Sequence, residues 1–338
     1  MGLDRRRLFR IARIVASVAL VGVALWGAGM FEAQSRARAW ETVRAASVPM
    51  LVVSLLFIPL MDAVSTVKWK ALAGARGLTV GYWRLLAFYI VGRFYNMVLP
   101  SSIGGDVIRI SLLGRETNRV ADAAAVVFVE RLTGVIVLLV LAAVALVFAG
   151  LGVSEATLAL GIVVAGIAIA LFSWLLIGAR PLAVLERLLG GSRGALASKA
   201  LAKLAKLRNA IRAFRHHGGA IAVAFANSVL FYGFAIVNVW VTVLVFQDDV
   251  ALVDMMIAVP LIMFIMNLPV SVGTLGILEF GYTVVLMQFG VHGEAAIATA
   301  LLVRLKLVLA ALIGAAVNAT LSLPAPGEAR VRELGLGE

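Results

Sequence analysis

Apolar residues in this chain come in long, nearly uninterrupted runs, without the polar face that a water-soluble helix or strand needs. Eight runs stand out: residues 14–31, 48–67, 85–113, 121–149, 156–178, 220–246, 255–289 and 295–323. Most are long enough for a membrane helix, which needs about 20 residues. Two of them, 85–113 and 255–289, are interrupted by almost the same six residues. Leu99-Pro100-Ser101-Ser102-Ile103-Gly104 in the first becomes Leu268-Pro269-Val270-Ser271-Val272-Gly273 in the second, with four positions identical and an offset of 169 residues. Proline removes a backbone donor and glycine loosens the helix, so each copy predicts a break at membrane depth. Matched interruptions in two halves of a chain point to a transporter's binding site.

Composition supports the same class. The 338 residues are 62% hydrophobic and 14% charged, and the mean hydropathy is +1.04. That excludes an ordinary soluble domain and predicts an all-α integral membrane protein. A net charge of +12 is read as basic loops on one side of a membrane rather than as a nucleic-acid surface. Cysteine is absent, which removes disulfides, thiolate nucleophiles and Cys-ligated metals. The basic start Arg5-Arg6-Arg7 precedes an apolar run of spanning length with no convincing small-x-small cleavage site after it, so 14–31 is read as the first helix.

Charge decides the topology. With the N-terminus cytoplasmic and both broken segments re-entering as hairpins, 23 of the 30 Lys and Arg residues fall on the cytoplasmic side, with Lys68 and Arg109 counted among them. Full crossings would instead place the basic stretch from Arg180 to Arg215 outside, against the positive-inside rule. The expectation is therefore about six full crossings plus two re-entrant helical hairpins, in two inverted repeats, with both termini cytoplasmic. Residues 1–13 form the basic N-terminus, 14–178 the first membrane repeat and a following helix, 179–218 a basic linker, 219–323 the second repeat and 324–338 a tail. Within the linker, Leu201, Leu204, Leu207, Ile211 and Phe214 recur at helical spacing among Lys199, Lys203, Lys206 and Arg212. That pattern suits a surface helix over 183–215 on anionic lipid headgroups, or a basic connector that only obeys topology. The pair His216-His217 has no third ligand nearby, so no metal is expected.

Ionisable residues inside apolar runs cost roughly 2.5–3.5 kcal/mol each on insertion scales and count as functional candidates. Here they are Arg93, Asp106, Glu130, Arg131, Glu279, Arg304 and Lys306, with Asp62 near a helix end. Arg131 and Arg304 each lie about ten residues inside the helix that follows a break. The arrangement suits a phosphate-bearing substrate, gripped by arginine and by N–H groups of helices restarting after Gly104-Gly105 or Gly273. Asp106 and Glu279 can orient the arginines or carry a coupling proton, and Lys306 can add a point charge. The competing reading pairs these charges with one another to hold the bundle together. Asn96, Arg109, Ser102 and Ser271 complete the candidate substrate-binding set, the two serines more as groups that satisfy broken backbone than as ligands. No P-loop, nucleophile elbow, HExxH or dinucleotide fingerprint appears in a suitable context, so neither enzyme activity nor a cofactor is expected.

Gly92-Arg93-Phe94-Tyr95-Asn96-Met97-Val98-Leu99-Pro100, Gly104-Gly105-Asp106-Val107-Ile108-Arg109 and Glu130-Arg131-Leu132-Thr133-Gly134 resemble the signature of the lysylphosphatidylglycerol synthase transmembrane family, also called the flippase-like domain family. Asn267-Leu268-Pro269-Val270-Ser271-Val272-Gly273-Thr274-Leu275-Gly276, Glu279, Gly290 and Arg304 resemble it in the second half. Thr274 departs from the pattern, standing where a second glycine is common. The resemblance runs from about residue 13 to 323. It implies a prokaryotic cytoplasmic-membrane protein that moves lipids between leaflets, as relatives do with aminoacylated phosphatidylglycerol. Other relatives are tied to polyprenyl-linked glycan or hopanoid pathways. The soluble synthase domain of some relatives is not expected here, since the chain ends 15 residues after the last run. The leading expectation is a flippase for a phospho- or polyprenyl-linked lipid. The alternative is a membrane scaffold that presents lipid to a separately encoded synthase or glycosyltransferase.

Overall fold

A computed structural model describes residues 32–98, 104–148, 211–266 and 276–321, with 22, 23, 25, 26, 28 and 209. Both Pro-Gly breaks, with Ser102, Ser271 and Gly273, lie outside the described residues. So do most of 14–31, all of 156–208 and the tail from 322 on.

All regular structure among the described residues is helical. The elements are α1 (Ala33–Arg44), α2 (Val48–Ala75), α3 (Tyr82–Val98), α4 (Gly104–Thr117), α5 (Val120–Phe148), α6 (Gly218–Val243), α7 (Leu252–Met266), α8 (Ile277–Gln288) and α9 (Gly293–Thr320), with a short 3-10 turn at Ala213–His216. Four of these, α2, α5, α6 and α9, are long and apolar enough to cross a membrane. At 1.5 Å per residue a 28-residue helix spans about 42 Å, ample for a ~30 Å hydrocarbon core. Valines and leucines such as Val52, Leu56, Val229, Leu305 and Leu312 are exposed along them, as a lipid-facing surface requires. By contrast α3 has 17 residues and α4 has 14, about 26 and 21 Å, too short to cross alone.

Each broken run folds back on itself. Arg84 at the start of α3 pairs with Glu116 at the end of α4 at 3.2 Å, although 32 residues of continuous helix would separate them by about 48 Å. Glycines allow the limbs to touch: a Cβ on Gly105 would stand 2.0 Å from the carbonyl oxygen of Gly92. In the second half α7 packs on α8, and Gln247, ahead of α7, donates to the carbonyl of Gly290, beyond α8 (3.0 Å). Asn118 (φ 54°) and Gly290 (φ 82°) take left-handed conformations at the matching turns into α5 and α9.

The order long–short–short–long thus occurs twice, and the packing respects the repetition. Contacts α2·α3, α3·α4, α4·α5, α2·α5, α3·α9 and α2·α9 have the counterparts α6·α7, α7·α8, α8·α9, α6·α9, α5·α7 and α5·α6. The central pair, α2 and α6, runs antiparallel. Ser47 N–H donates to the carbonyl of Val245 at one end (2.8 Å), and Asn227 Nδ2 donates to the carbonyl of Val64 towards the other (3.0 Å). Two apolar cores result, one in each half, around Trp69, Phe88 and Leu113 and around Met255, Ile262 and Leu286.

Charge separates the ends of the bundle. Arg76 and Arg119 both pair with Asp122 at the end that also carries Phe214, over whose ring Arg76 lies (5.8 Å). At the opposite end Gln247 Oε1 accepts from the His292 N–H (2.8 Å), and Arg38 of α1 approaches Glu294 (3.8 Å). One boundary needs correction. Helix α2 continues past residue 67 to Ala75, so Lys68 is not a loop residue. It is 6% exposed, because its four-carbon stem reaches acceptors inside the bundle. Arg109, counted with the cytoplasmic basic residues as well as with the site, is likewise buried.

Candidate functional site

The hairpin α3–α4 and the helix after it assemble a charged cluster. Asp106 lies in the first turn of α4, where a carboxylate favours the helix dipole. It takes Arg131 of α5 in a two-pronged grip, Nε to Oδ2 at 2.7 Å and Nη2 to Oδ1 at 2.8 Å. Asn96 caps the same helix start by accepting from the Gly105 N–H (2.7 Å). Arg109, one turn on, pairs with Glu130 and stands 3.4 Å from Asp106. It is 3% exposed, sandwiched between the rings of Trp69 (4.3 Å) and Tyr89 (4.4 Å). Such stacking suits a weakly hydrated guanidinium. Gly92 makes room, since a Cβ there would lie 2.7 Å from Arg109 Cγ.

Lys68 joins from α2. Its ammonium donates to the main-chain carbonyl of Glu130 and to Ser228 Oγ of α6, both at 2.7 Å. Three cations therefore meet two carboxylates, leaving one positive charge in surplus. Beside them opens a cavity of about 260 Å³, lined by Lys68, Tyr89, Glu130, Arg131, Asn227, Ser228, Tyr232 and Met263 among others. Arg131 is the member most open to it, with a side chain 54% exposed. Its Nε and Nη2 hold Asp106, and its Nη1 has no protein acceptor among the described residues. Asn227 donates to Val64, and its buried Oδ1 has no partner among the described residues.

The second half repeats one part of this. Arg304 grips Glu279 through Nε (2.9 Å) and Nη2 (3.0 Å). Glu279 in turn accepts from the N–H of Gly276 (2.8 Å), at the start of α8. Asp106 and Glu279, like Arg131 and Arg304, are 173 residues apart, so the two ion pairs are equivalents. Neither Glu279 nor Arg304 lines the cavity.

Of the residues singled out in the sequence, then, Asp106, Arg109, Glu130 and Arg131 come together, with Gly104, Gly105 and Asn96 shaping the hairpin beneath them. Arg93 is elsewhere, paired with Asp62 at 2.6 Å. Asp62 borders an apolar groove of about 420 Å³ between α2, α3 and α9. Lys306 also stands off the cavity, bonded to Asn238 and Thr242 of α6. Lys68, Asn227, Ser228 and Tyr232 were not anticipated. Lys68 could have been found, being one of two lysines at the end of an apolar run. The neutral residues of α6 carry no such signal.

Helices of spanning length, folded-back short helices between them and a buried charge network define a multi-pass helical membrane protein. The chain belongs to the family of the lysylphosphatidylglycerol synthase TM region, whose family model matches residues 10–315. That membership ties it to a membrane lipid-related role. No curated protein and no solved structure matches the chain.

Proposed function

We propose that this protein carries a phosphate-bearing lipid between leaflets, its headgroup entering the cavity at Arg131 and Lys68 while its tails stay in the bilayer. The observation that carries this reading is the surplus cation beside a half-open cavity inside the helical bundle. A buried charge in excess is costly. An arriving phosphate would balance it and take a short, charge-assisted hydrogen bond from the open side of Arg131. Lipid movement needs no bond to break, in keeping with a transporter rather than an enzyme. In this reading the two halves are inverted repeats, the α3–α4 and α7–α8 hairpins re-enter from opposite faces, and alternating access exchanges their exposure. The end bearing Arg76, Arg119 and the 3-10 turn is cytoplasmic, and the membrane is the prokaryotic inner membrane.

The test is movement of labelled anionic phospholipids and polyprenyl phosphates in liposomes holding the purified protein. Arg131→Ala and Lys68→Met should slow it at least tenfold while the exposed Arg38→Ala leaves it unchanged. No movement across that panel, or full movement in both site variants, would overturn the reading.

A further inference from the structure

Lys306 is a buried cation that the cavity does not use. It lies within α9, 5% exposed, in a helix of spanning length and apolarity. Its Nζ donates to Asn238 Oδ1 (2.8 Å) and to Thr242 Oγ1 (2.7 Å), both on α6. The Thr242 hydroxyl gives its own proton to the main-chain carbonyl of Asn238, so towards Lys306 it only accepts. The Asn238 amide nitrogen is turned to Met61 Sδ (3.9 Å), leaving the oxygen for the lysine.

Among the described residues two acceptors, both neutral, surround this nitrogen. A neutral amine has two N–H groups and an ammonium three, so the site satisfies the amine and leaves the ammonium one donor short. In an apolar span that deficit is expensive. Among the described residues, the charged groups on the helices packed around α9 do not offset it. Asp62 of α2 holds Arg93 of α3, Glu279 of α8 holds Arg304, and Glu294 at the far end of α9 faces Arg38 of α1. Tyr282 of α8 is buried and uncharged at neutral pH, and α6 presents Asn238 and Thr242.

The repeat sharpens the contrast. Counted from the first residues of the paired helices, Lys68 of α2 matches Asn238 of α6, and Thr133 of α5 matches Lys306 of α9. Each half thus links its two long helices through one lysine, supplied from opposite helices. Lys68 also has two neutral acceptors, but it stands beside Glu130 on the wall of the cavity, which can receive its third N–H, whereas Lys306 sits among neutral groups away from it.

We propose that Lys306 is a proton-binding site that couples proton uptake to opening of the α6–α9 contact. In the conformation seen here the amine is held between Asn238 and Thr242. When the helices part, the nitrogen lone pair takes a proton from water, and on closing that proton returns to water. Only an N–H bond forms and breaks. Its meaning as an energy source rests on the transport reading above, but its test does not.

Because the chain has no cysteine, two can be introduced cleanly. Gly233 of α6 has open space around a would-be Cβ, and Leu312 of α9 is exposed. Spin labels on Gly233→Cys and Leu312→Cys, in nanodiscs, report the α6–α9 distance by pulsed electron resonance between pH 6 and 10. The closed-to-open ratio should fall as pH falls, by up to about tenfold per pH unit for one proton. Lys306→Met should stay closed throughout. So should Asn238→Asp, which keeps the size and provides a carboxylate for the ammonium, and Glu294→Gln should respond like the parent. A parent ratio independent of pH, or a response that survives in Lys306→Met, overturns the proposal. Failure of lipid movement in liposomes would leave this readout untouched, so the two readings fall separately.

Discussion

The two halves of this molecule share a scaffold and differ in what they bury. Among the described residues, α2–α5 carry Asp62, Lys68, Arg93, Asp106, Arg109, Glu130 and Arg131 in buried or half-buried contacts, whereas α6–α9 carry Glu279, Arg304 and Lys306. At positions equivalent to Asp62, Arg93, Arg109 and Glu130 the second half has Tyr232, Met263, Tyr282 and Val303. Among the described residues, only the ion pair linking the second limb of the hairpin to the following long helix is present in both. That pair reads as a strut of the fold. Of the charges found in the first half alone, Lys68 and Glu130 line the cavity, while Asp62 borders the apolar groove instead. The same division separates the two openings. The groove between α2, α3 and α9 is lined by Ile58 and Asp62, and the cavity among α2, α3, α5, α6 and α7 by their equivalents Ser228 and Tyr232.

The sharpest way to break this comparison is to remove the residue that ties the first cluster together. Arg109→Ala leaves Glu130 without its partner and empties the space between Trp69 and Tyr89. Removing one member of a buried pair costs about 3–5 kcal/mol, so thermal unfolding in detergent should show a large loss, or no folded protein at all. A variant as stable as the parent would mean that the cluster is not a structural unit.

A middle-sized effect separates the hairpins. Gly105→Ala puts a methyl group against the Gly92 carbonyl and the Asn96 side chain, and overpacking of this kind costs roughly 1–3 kcal/mol. In α8, Gly281→Ala meets nothing nearer than Ile265 Cγ2 at 3.5 Å. It should leave stability unchanged or raise it by up to about 1 kcal/mol, since alanine favours a helix interior over glycine. Equal losses in both would show the two hairpins to be packed alike.

The smallest effect concerns the clasps at the ends. Arg76 and Asp122 form an ion pair at one end, while Gln247 spans from Asp249 to Gly290 and His292 at the other. Arg76→Ala should cost about 1 kcal/mol or less, and that cost should shrink in high salt. Gln247→Ala, which breaks bonds from a neutral amide, should be insensitive to salt. Unfolding curves at low and high ionic strength would distinguish the two.

Much of the architecture was legible in the chain. Runs of apolar residues have one stable solution in lipid, the helix, because no water satisfies the backbone there. The duplicated Leu-Pro and Gly positions marked where two of those helices had to stop, and Arg131 and Arg304 stood out because a charge inside an apolar run needs a reason. Asp106 and Glu279, read in the sequence as able to orient the arginines or to carry a proton, each form a two-pronged ion pair with one of them. Lys68 and Arg109 were obscured by their position at the margins of apolar runs, where a long side chain can reach either water or the bundle, and only packing chooses.

The chain alone therefore determined the class, the twofold division and the intramembrane charges, since each follows from the cost of placing a given side chain or a given backbone in lipid. The tertiary structure decided which charges meet. The cavity joins Lys68 to Ser228 across 160 residues and gains Asn227 and Tyr232, neutral side chains that nothing in a helical apolar run distinguishes from filler. Lys306 was drawn into a neutral site by the crossing of α9 with α6, while its counterpart Lys68 came to a charged one. Those outcomes depend on which helix faces which, and that is settled by the summed packing of many weak contacts rather than by any local pattern.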